Sequence, residues 1–254
     1  MLGLVEGITE FLPVSSTGHL ILAGDMLGFH SEKAKTFEVF IQLGAILAVV
    51  WLYREKVVSS IRGIGEKKTN RFFLNLFAAF LPAMVFGYLF HSAIKSYLFN
   101  PVTVAIALIA GGLAIILIEK LVKNPGISDI DDVSLRKAVG IGFAQTVSLF
   151  PGVSRAGATI MGAMCLGLNR RAATEFSFFL AIPTMFAATT YDLLKTMHNL
   201  SAGDIPVFAA GFAVSFLSAV IVIKAFLGFI AGHTFNSFAV YRIIFGGVIL
   251  AYYL

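Results

Sequence analysis

The sequence predicts an all-α membrane protein with six transmembrane helices plus two re-entrant helical hairpins, arranged as an inverted-topology repeat. Three observations lead there. The 254 residues are 58% hydrophobic and only 13% charged, with a mean hydropathy of +0.88, whereas a soluble domain carries about a quarter charged residues. Two apolar stretches are broken in the middle by Pro/Gly/Ser/Thr clusters. The chain also matches itself at a fixed offset.

A helix rising about 1.5 Å per residue needs roughly 20 residues to cross a hydrocarbon core. Six segments approach or reach that length: Phe37 to Tyr53, Phe72 to His91, Val102 to Ile118, Phe176 to Leu193, Val207 to Leu227 and Phe238 to Tyr253. The interrupted stretches are Gly3 to Leu27 and Val139 to Leu168. Their breaks read Phe11-Leu-Pro-Val-Ser-Ser-Thr-Gly-His19 and Phe150-Pro-Gly-Val-Ser-Arg-Ala-Gly-Ala-Thr159. Proline stops the incoming helix, and Ser, Thr or Gly can cap the outgoing one. Non-helical backbone at membrane depth is tolerated only inside protein or beside a wet cavity, so each stretch reads as a re-entrant hairpin with the functional site at its tip.

Sliding the second hairpin onto the first by about 139 residues pairs Glu6 with Gln145, Phe11 with Phe150, Ser15 with Ser154 and Gly18 with Gly157. It also pairs Leu27-Gly28 with Leu166-Gly167, Ala34 with Ala173 and Phe37 with Phe176. One membrane domain over 1–254 therefore contains repeat 1, about 1–120, and repeat 2, about 136–254. Each repeat is a hairpin followed by three spans, and an odd number of crossings inverts the second copy.

Charge orients the pair. Arg54, Lys56, Arg62, Lys67, Lys68 and Arg71 lie between the first two spans, and Lys120, Lys123, Arg136, Lys137, Arg170 and Arg171 flank the second hairpin. The opposite side has only Lys33, Lys35, Lys95 and Lys195, so the rich side is expected in the cytoplasm. Both termini then lie outside, and the two tips meet near mid-membrane. The net charge of +5 belongs to those loops, and no nucleic-acid partner is expected. Cys165, the single cysteine, excludes an internal disulfide framework and is expected to pack. The start has no basic segment before an apolar core, so no cleaved signal peptide is expected.

Glu6 and Glu10 share a helix face and are candidates to hold a divalent metal or to divide metal and base duties. Carboxylates inside a membrane segment are costly to keep there, which favours a functional role over two solvated first-turn acids. Ser15, Ser16 and Thr17 lead into the second helix, with His19 three positions after Ser16. A hydroxyl and an imidazole at that spacing can act as nucleophile and base, or His19 can attack directly. In the second hairpin Ser154 and Arg155 sit at a helix start beside Gly152 and Gly157, with Thr159 one turn on. Backbone N–H groups and a guanidinium fork there suit a phosphate-like anion. Glu38 and Gln42, one turn apart, fit a hydrogen bond between helices. Gly111-Gly112 and Gly246-Gly247 fit close helix packing. His30, His91, His198 and His233 fall near segment ends and are not taken as ligands.

These residues carry a resemblance. The run from Leu2 to His19 and the run from Phe150 to Thr159 are similar to the two signatures of the undecaprenyl-diphosphatase (bacitracin-resistance) family. The similarity covers essentially the whole chain, including Ala34 to Val39 and Glu175 to Phe178. Two departures stand out: Ala156 replaces the last serine of the usual Ser-Arg-Ser, and family members usually begin with a short extra stretch, so the first helix reads as shortened.

The resemblance implies hydrolysis of undecaprenyl diphosphate to the monophosphate, recycling the lipid carrier of peptidoglycan synthesis. It implies a divalent metal ion (Mg2+ or Ca2+) and a multi-pass protein of the bacterial cytoplasmic membrane whose site opens to the periplasmic or outer side. By position, Glu6 and Glu10 match the acidic motif, Ser16 and His19 its catalytic end, and Ser154, Arg155 and Thr159 the phosphate-binding motif; Ser15, Thr17 and Gly152 join the substrate-binding set. The partners implied are the polyprenyl diphosphate substrate and membrane lipids, with a homo-oligomer left open. Ser16, His19 and activated water all remain as nucleophiles. The rival from another class is a secondary transporter or flippase for an anionic lipid, since inverted repeats with broken helices also build transporters.

Overall fold

The computed structural model describes residues 1–29, 31–98, 100–123, 125–196 and 201–254. Among the described residues there are α-helices, short 3-10 turns and no sheet; one isolated bridge joins Ile127 to Leu168. All six predicted spans are helices, each longer than expected: α3 (Glu32–Leu52), α5 (Lys67–Tyr97), α6 (Pro101–Leu121), α9 (Arg170–Thr196), α10 (Ile205–Ile230) and α11 (Asn236–Tyr253). The first five of these are long and apolar enough to cross a membrane. α11 is the shortest, at 18 residues, and Asn236, Ser237 and Arg242 dilute its apolar run. A further helix, α4 (Arg54–Arg62), occupies what the sequence presents as a basic connection.

Each interrupted stretch is a pair of short helices: α1 (Leu2–Thr9) with α2 (Ser16–Leu27), and α7 (Leu135–Thr146) with α8 (Arg155–Cys165). α1 stops at Thr9 because Pro13 has no N–H to continue it and its ring would strike the carbonyl four residues back. Pro151 ends the incoming arm of the second pair in the same way, after a 3-10 turn over Val147–Leu149. Ser15 and Ser154 then enter the outgoing helices with φ of 69° and 77°, uncommon values for a residue with a Cβ. Both outgoing helices turn away through glycines at positive φ, Gly28 at 62° and Gly167 at 93°, where glycine meets no penalty. The paired positions are those aligned by the sequence offset.

Packing crosses between the halves. α1 lies on α10, and α7 lies on α5. A Cβ on Gly3 would collide with the Gly211 carbonyl, and one on Gly142 with the Ala79 carbonyl, so both docking helices approach their hosts backbone to backbone. α3 packs on α9, and α6 on α11. At the second crossing Gly112 abuts the Ala239 carbonyl and Gly246 the Ala105 carbonyl, while Gly247 faces open space. Phe11, Ile141, Ile160, Phe176, Phe178 and Phe226 form the core around the hairpin tips. Lipid tails are as apolar as these side chains, so close packing and polar contacts hold the helices together.

Polar ties close the ends. Lys56 and Lys68 lie 2.7 and 3.0 Å from Asp131 Oδ2, and Arg71 donates to the Asp131 carbonyl oxygen. Burial alone would raise the Asp131 pKa, but the hydrogen bonds from the two lysines prevail and hold it below the ordinary aspartate value. Lys33 pairs with Asp204 at 2.9 Å, joining the starts of α3 and α10. Cys165, expected to pack, is exposed at the end of α8, where the helix turns toward Gly167. His233 is exposed and stacks on Phe229. His30 and His198 lie outside the described residues, as do the side chains of His91 and Lys95.

Candidate active site

Both hairpin tips converge on one carboxylate. Glu10, just past the end of α1, accepts from Ser16 Oγ at 2.5 Å on Oε2 and from Arg155 Nη2 at 2.9 Å on Oε1. Ser16 opens α2 and Arg155 opens α8, so a hydroxyl and a guanidinium from different halves of the chain share an acid. Arg155 also donates to the Ser177 carbonyl oxygen at 3.2 Å, meets Met185 Sδ at 3.1 Å and lies over the Phe11 ring. Those contacts leave little freedom for the guanidinium. Ser16 is buried and within proton-transfer distance of a carboxylate, the arrangement that activates a serine.

Glu6 lies one turn before Glu10 and is fully buried. Neither of its carboxylate oxygens has a hydrogen-bond partner among the described residues. Its charged neighbours are Glu10, Glu38 and Arg155. An orphaned buried carboxylate beside a second one fits a divalent cation, since Mg2+ commonly takes one or two carboxylates and completes its shell with water and substrate phosphate. Among the described residues no three of His, Cys, Asp and Glu gather as candidate metal ligands. Glu38 and Gln42 are half-buried on α3.

His19 faces away from Ser16. Its Nδ1 is 2.7 Å from the Ser15 carbonyl oxygen and its Nε2 is 2.6 Å from the Tyr241 hydroxyl. A carbonyl can only accept, so Nδ1 carries the proton, and in its neutral form the ring accepts from Tyr241 at Nε2. Phe245 stacks against the ring at 4.2 Å between centroids. Of the two bases that the sequence offers Ser16, Glu10 is the one bonded to it, while three positions along α2 carry the His19 imidazole toward α11.

The remaining predicted residues divide. Ser154 Oγ accepts from the Gly157 N–H at 3.0 Å, capping α8, whereas Ser15 makes no side-chain cap on α2. Gly152, at φ 92°, lies against the Val104 backbone, where a Cβ would clash. Thr159 turns into α9, its hydroxyl 2.6 Å from Ser177 Oγ. Thr17 is half-buried at the start of α2.

The sequence reading missed Arg242. This α11 residue is 1% exposed, and its guanidinium donates only to backbone carbonyl oxygens: Pro13 at 3.1 Å and Val153 at 2.8 Å from Nη1, Gly152 at 3.0 Å and Ala107 at 3.2 Å from Nη2, and Leu108 at 3.2 Å from Nε. It thereby ties the two tips to each other and to α6. Gly111 makes room for it, since a Cβ there would overlap Nη2. A lone arginine inside an apolar span is the signal that points to such a role. Tyr241, one residue earlier, has no comparable mark in the sequence.

Comparisons with known proteins agree in one direction. The family model described as bacitracin resistance protein BacA matches residues 1–248. The undecaprenyl-diphosphatase of Aromatoleum aromaticum is 54% identical over 252 residues, covering 99% of this chain and 92% of the relative. That of Nitrosomonas europaea is 54% identical over 250 residues, covering 98% and 92%. That of Methylococcus capsulatus is 54% identical over 252 residues, covering 99% and 92%.

Proposed function

The chain belongs to the bacitracin resistance protein BacA family, and from that membership we propose that it is an undecaprenyl-diphosphate phosphatase whose chemistry runs through Ser16 and Glu10. It hydrolyses undecaprenyl diphosphate to undecaprenyl phosphate and inorganic phosphate, as a multi-pass protein of the bacterial inner membrane. The observation that carries the site assignment is the Glu10 carboxylate shared by Ser16 Oγ at 2.5 Å and Arg155 Nη2 at 2.9 Å.

In this reading Ser16 Oγ attacks the terminal phosphorus and its proton passes to Glu10 Oε2. The bond from that phosphorus to the bridging oxygen breaks, and its electron pair leaves with undecaprenyl phosphate. Water then cleaves the phosphoserine, releasing inorganic phosphate and restoring the hydroxyl. Arg155 and the N–H groups at the starts of α2 and α8 stabilise the charge carried by the transferring group. His19 has both nitrogens engaged, which favours an orienting role at the first turn of α2. Glu6 and Glu10 would hold a divalent cation such as Mg2+ or Ca2+, which when bound neutralises diphosphate charge. A transporter needs an anion site but has no use for a serine bonded to a carboxylate, so the hydroxyl favours hydrolysis over transport.

The finer architecture belongs to the same proposal: six spans and two re-entrant hairpins in an inverted repeat, with halves at about 1–120 and 136–254. It is supported by the matched backbone at Ser15 and Ser154 and at Gly28 and Gly167. The reciprocal docking of α1 on α10 and α7 on α5 supports it too. The cluster of Lys56, Lys68 and Arg71 around Asp131 supports a cytoplasmic face there, with the site opening to the periplasmic side.

The test is phosphate release from undecaprenyl diphosphate by purified protein in detergent, with and without divalent metal, for wild type, Ser16→Ala, His19→Ala and Arg155→Ala. Metal-dependent release that Ser16→Ala abolishes in folded protein is the expected result. A phosphoenzyme mapped to His19 would overturn the serine step, and no release from folded, metal-supplied wild type would overturn the phosphatase.

A further inference from the structure

Ser177 on α9 is completely buried, and so is Thr159 on α8. Both oxygens of Ser177 face Arg155: the guanidinium Nη1 lies 3.2 Å from its carbonyl oxygen and 3.5 Å from its Oγ. Ser177 Oγ is also 2.6 Å from Thr159 Oγ1, which in turn lies 2.9 Å from the Arg155 carbonyl oxygen, the nearer of two backbone acceptors. The direction of these bonds is fixed at both ends. A guanidinium can only donate and a carbonyl can only accept, while each hydroxyl has one proton to give. The order that leaves no buried proton without an acceptor runs from Arg155 Nη1 to Ser177, from Ser177 to Thr159, and from Thr159 to the Arg155 carbonyl. The circuit starts and ends on one residue, so it fixes the Arg155 side chain relative to its own backbone.

The internal repeat supplies a second observation. The sequence offset that pairs Ser16 with Arg155 also pairs Leu20 with Thr159 and Glu38 with Ser177. The two hydroxyls therefore stand together only in the half that carries the guanidinium. We infer that Ser177 is a positioning residue for the phosphatase reaction: with Thr159 it holds the Arg155 guanidinium where its Nη2 meets Glu10, and Thr159 acts through Ser177 without touching the phosphate. This rests on the phosphatase reading of the same site and deepens it. A guanidinium whose aim is set before the substrate arrives stabilises the transferring charge with no reorganisation during the reaction.

Phosphate release by purified protein in detergent tests this for Ser177→Ala, Thr159→Val, their combination and Thr159→Ser, and for Ser177→Ala and Thr159→Val in an Arg155→Lys background, with melting temperatures to confirm folding. Ser177→Ala and Thr159→Val should each lower kcat about ten-fold, the loss of one hydrogen bond in the support of a charged group, with KM moved less than about three-fold. The combination should lie within about two-fold of either single variant, since one break opens the circuit. Thr159→Ser keeps the hydroxyl and should fall less than Thr159→Val. With Arg155→Lys the planar fork is gone, so adding Ser177→Ala should change kcat by less than about two-fold. The same fold loss in both backgrounds would mean that Ser177 merely packs, and it overturns the proposal. Wild-type kcat in both variants that lack a hydroxyl overturns it too. So does a Thr159→Val protein whose KM and inhibition constant for inorganic phosphate rise while Ser177→Ala is unaffected, which would put Thr159 on the phosphate itself. If Ser177→Ala does not fold, the isosteric Thr159→Val carries the same comparison against Arg155→Lys. An inactive wild type would instead sink the phosphatase reading, so the two failures are distinguishable.

Discussion

Arg155 and Glu10 come from opposite halves of the chain, yet Nη2 of the first lies 2.9 Å from Oε1 of the second. The other oxygen of Glu10 holds Ser16, so the three side chains form one unit. Glu10→Gln keeps the size but cannot take the serine proton, and kcat should fall by about 10²–10⁴. Arg155→Lys keeps the charge but loses the planar fork, and kcat should fall by about 10²–10³. The double variant should lose much less than the product of the two, because residues acting as a unit are not additive. Initial rates of phosphate release decide this, and full multiplicativity would mean that the two act independently.

Arg242 should matter for stability as much as for rate. Five buried carbonyl contacts depend on it, and a lysine has three donors on one point where arginine has five in a fork. Arg242→Met should cost at least about 3 kcal/mol by leaving buried carbonyls unpaired, with Arg242→Lys intermediate. Gly111→Ala should move in the same direction by displacing the guanidinium. Melting temperatures in detergent measure all three; wild-type values for Arg242→Met would show that other groups hold the tips.

Ser154 combines two roles that substitutions can separate. Its hydroxyl caps α8 through Gly157 N–H, and its backbone has a φ of 77°. Ser154→Ala loses the cap and keeps the unfavourable backbone. Ser154→Gly loses the cap but relaxes it. The glycine variant should therefore be more stable than the alanine variant by about 1 kcal/mol, and the reverse order in thermal unfolding would contradict the backbone assignment.

The Asp131 cluster gives an acid-side signature. Its carboxyl is held below the ordinary value despite burial, because Lys56 and Lys68 hydrogen-bond to it. A group whose folded pKa is depressed contributes stability above its unfolded value, about 3.9, and that contribution fades as pH falls through the folded value. Asp131→Asn should therefore be less stable than wild type at neutral pH, and the two should converge in acid. Melting temperatures recorded from pH 7 downward check it; a gap that stays constant would place the effect in packing.

How far the sequence reaches differs by element. The long helices were legible because lipid imposes one length and one composition, and the hairpin tips because proline, glycine and serine have few uses inside an apolar run. Glu6, Glu10, Ser16, His19, Ser154 and Arg155 all stand in those two runs. α4 was hidden by its charges, which read as a loop although Val57, Val58 and Ile61 are spaced for a helix. Arg242 is marked in the sequence as a lone arginine in an apolar span, but its partners at the two tips are not; Tyr241, which reaches His19 from the same helix, carries no local mark at all. Spacing leaves both His19 and Glu10 as bases for Ser16, and the Tyr241 hydroxyl, which holds His19, has no mark in the sequence.

The exchange of docking partners bears on how the protein is made. α1, carrying Glu6 and leading into Glu10, emerges from the ribosome well before its bed, α10, which begins only at Ile205. Until then the amino-terminal arm has two carboxylates and no groove to receive them. Assembly of the Glu10–Ser16–Arg155 cluster is thus deferred until α10 arrives for α1 and α11 brings Arg242 to both tips. A nascent chain stalled before that point holds every motif residue without the helices that seat them.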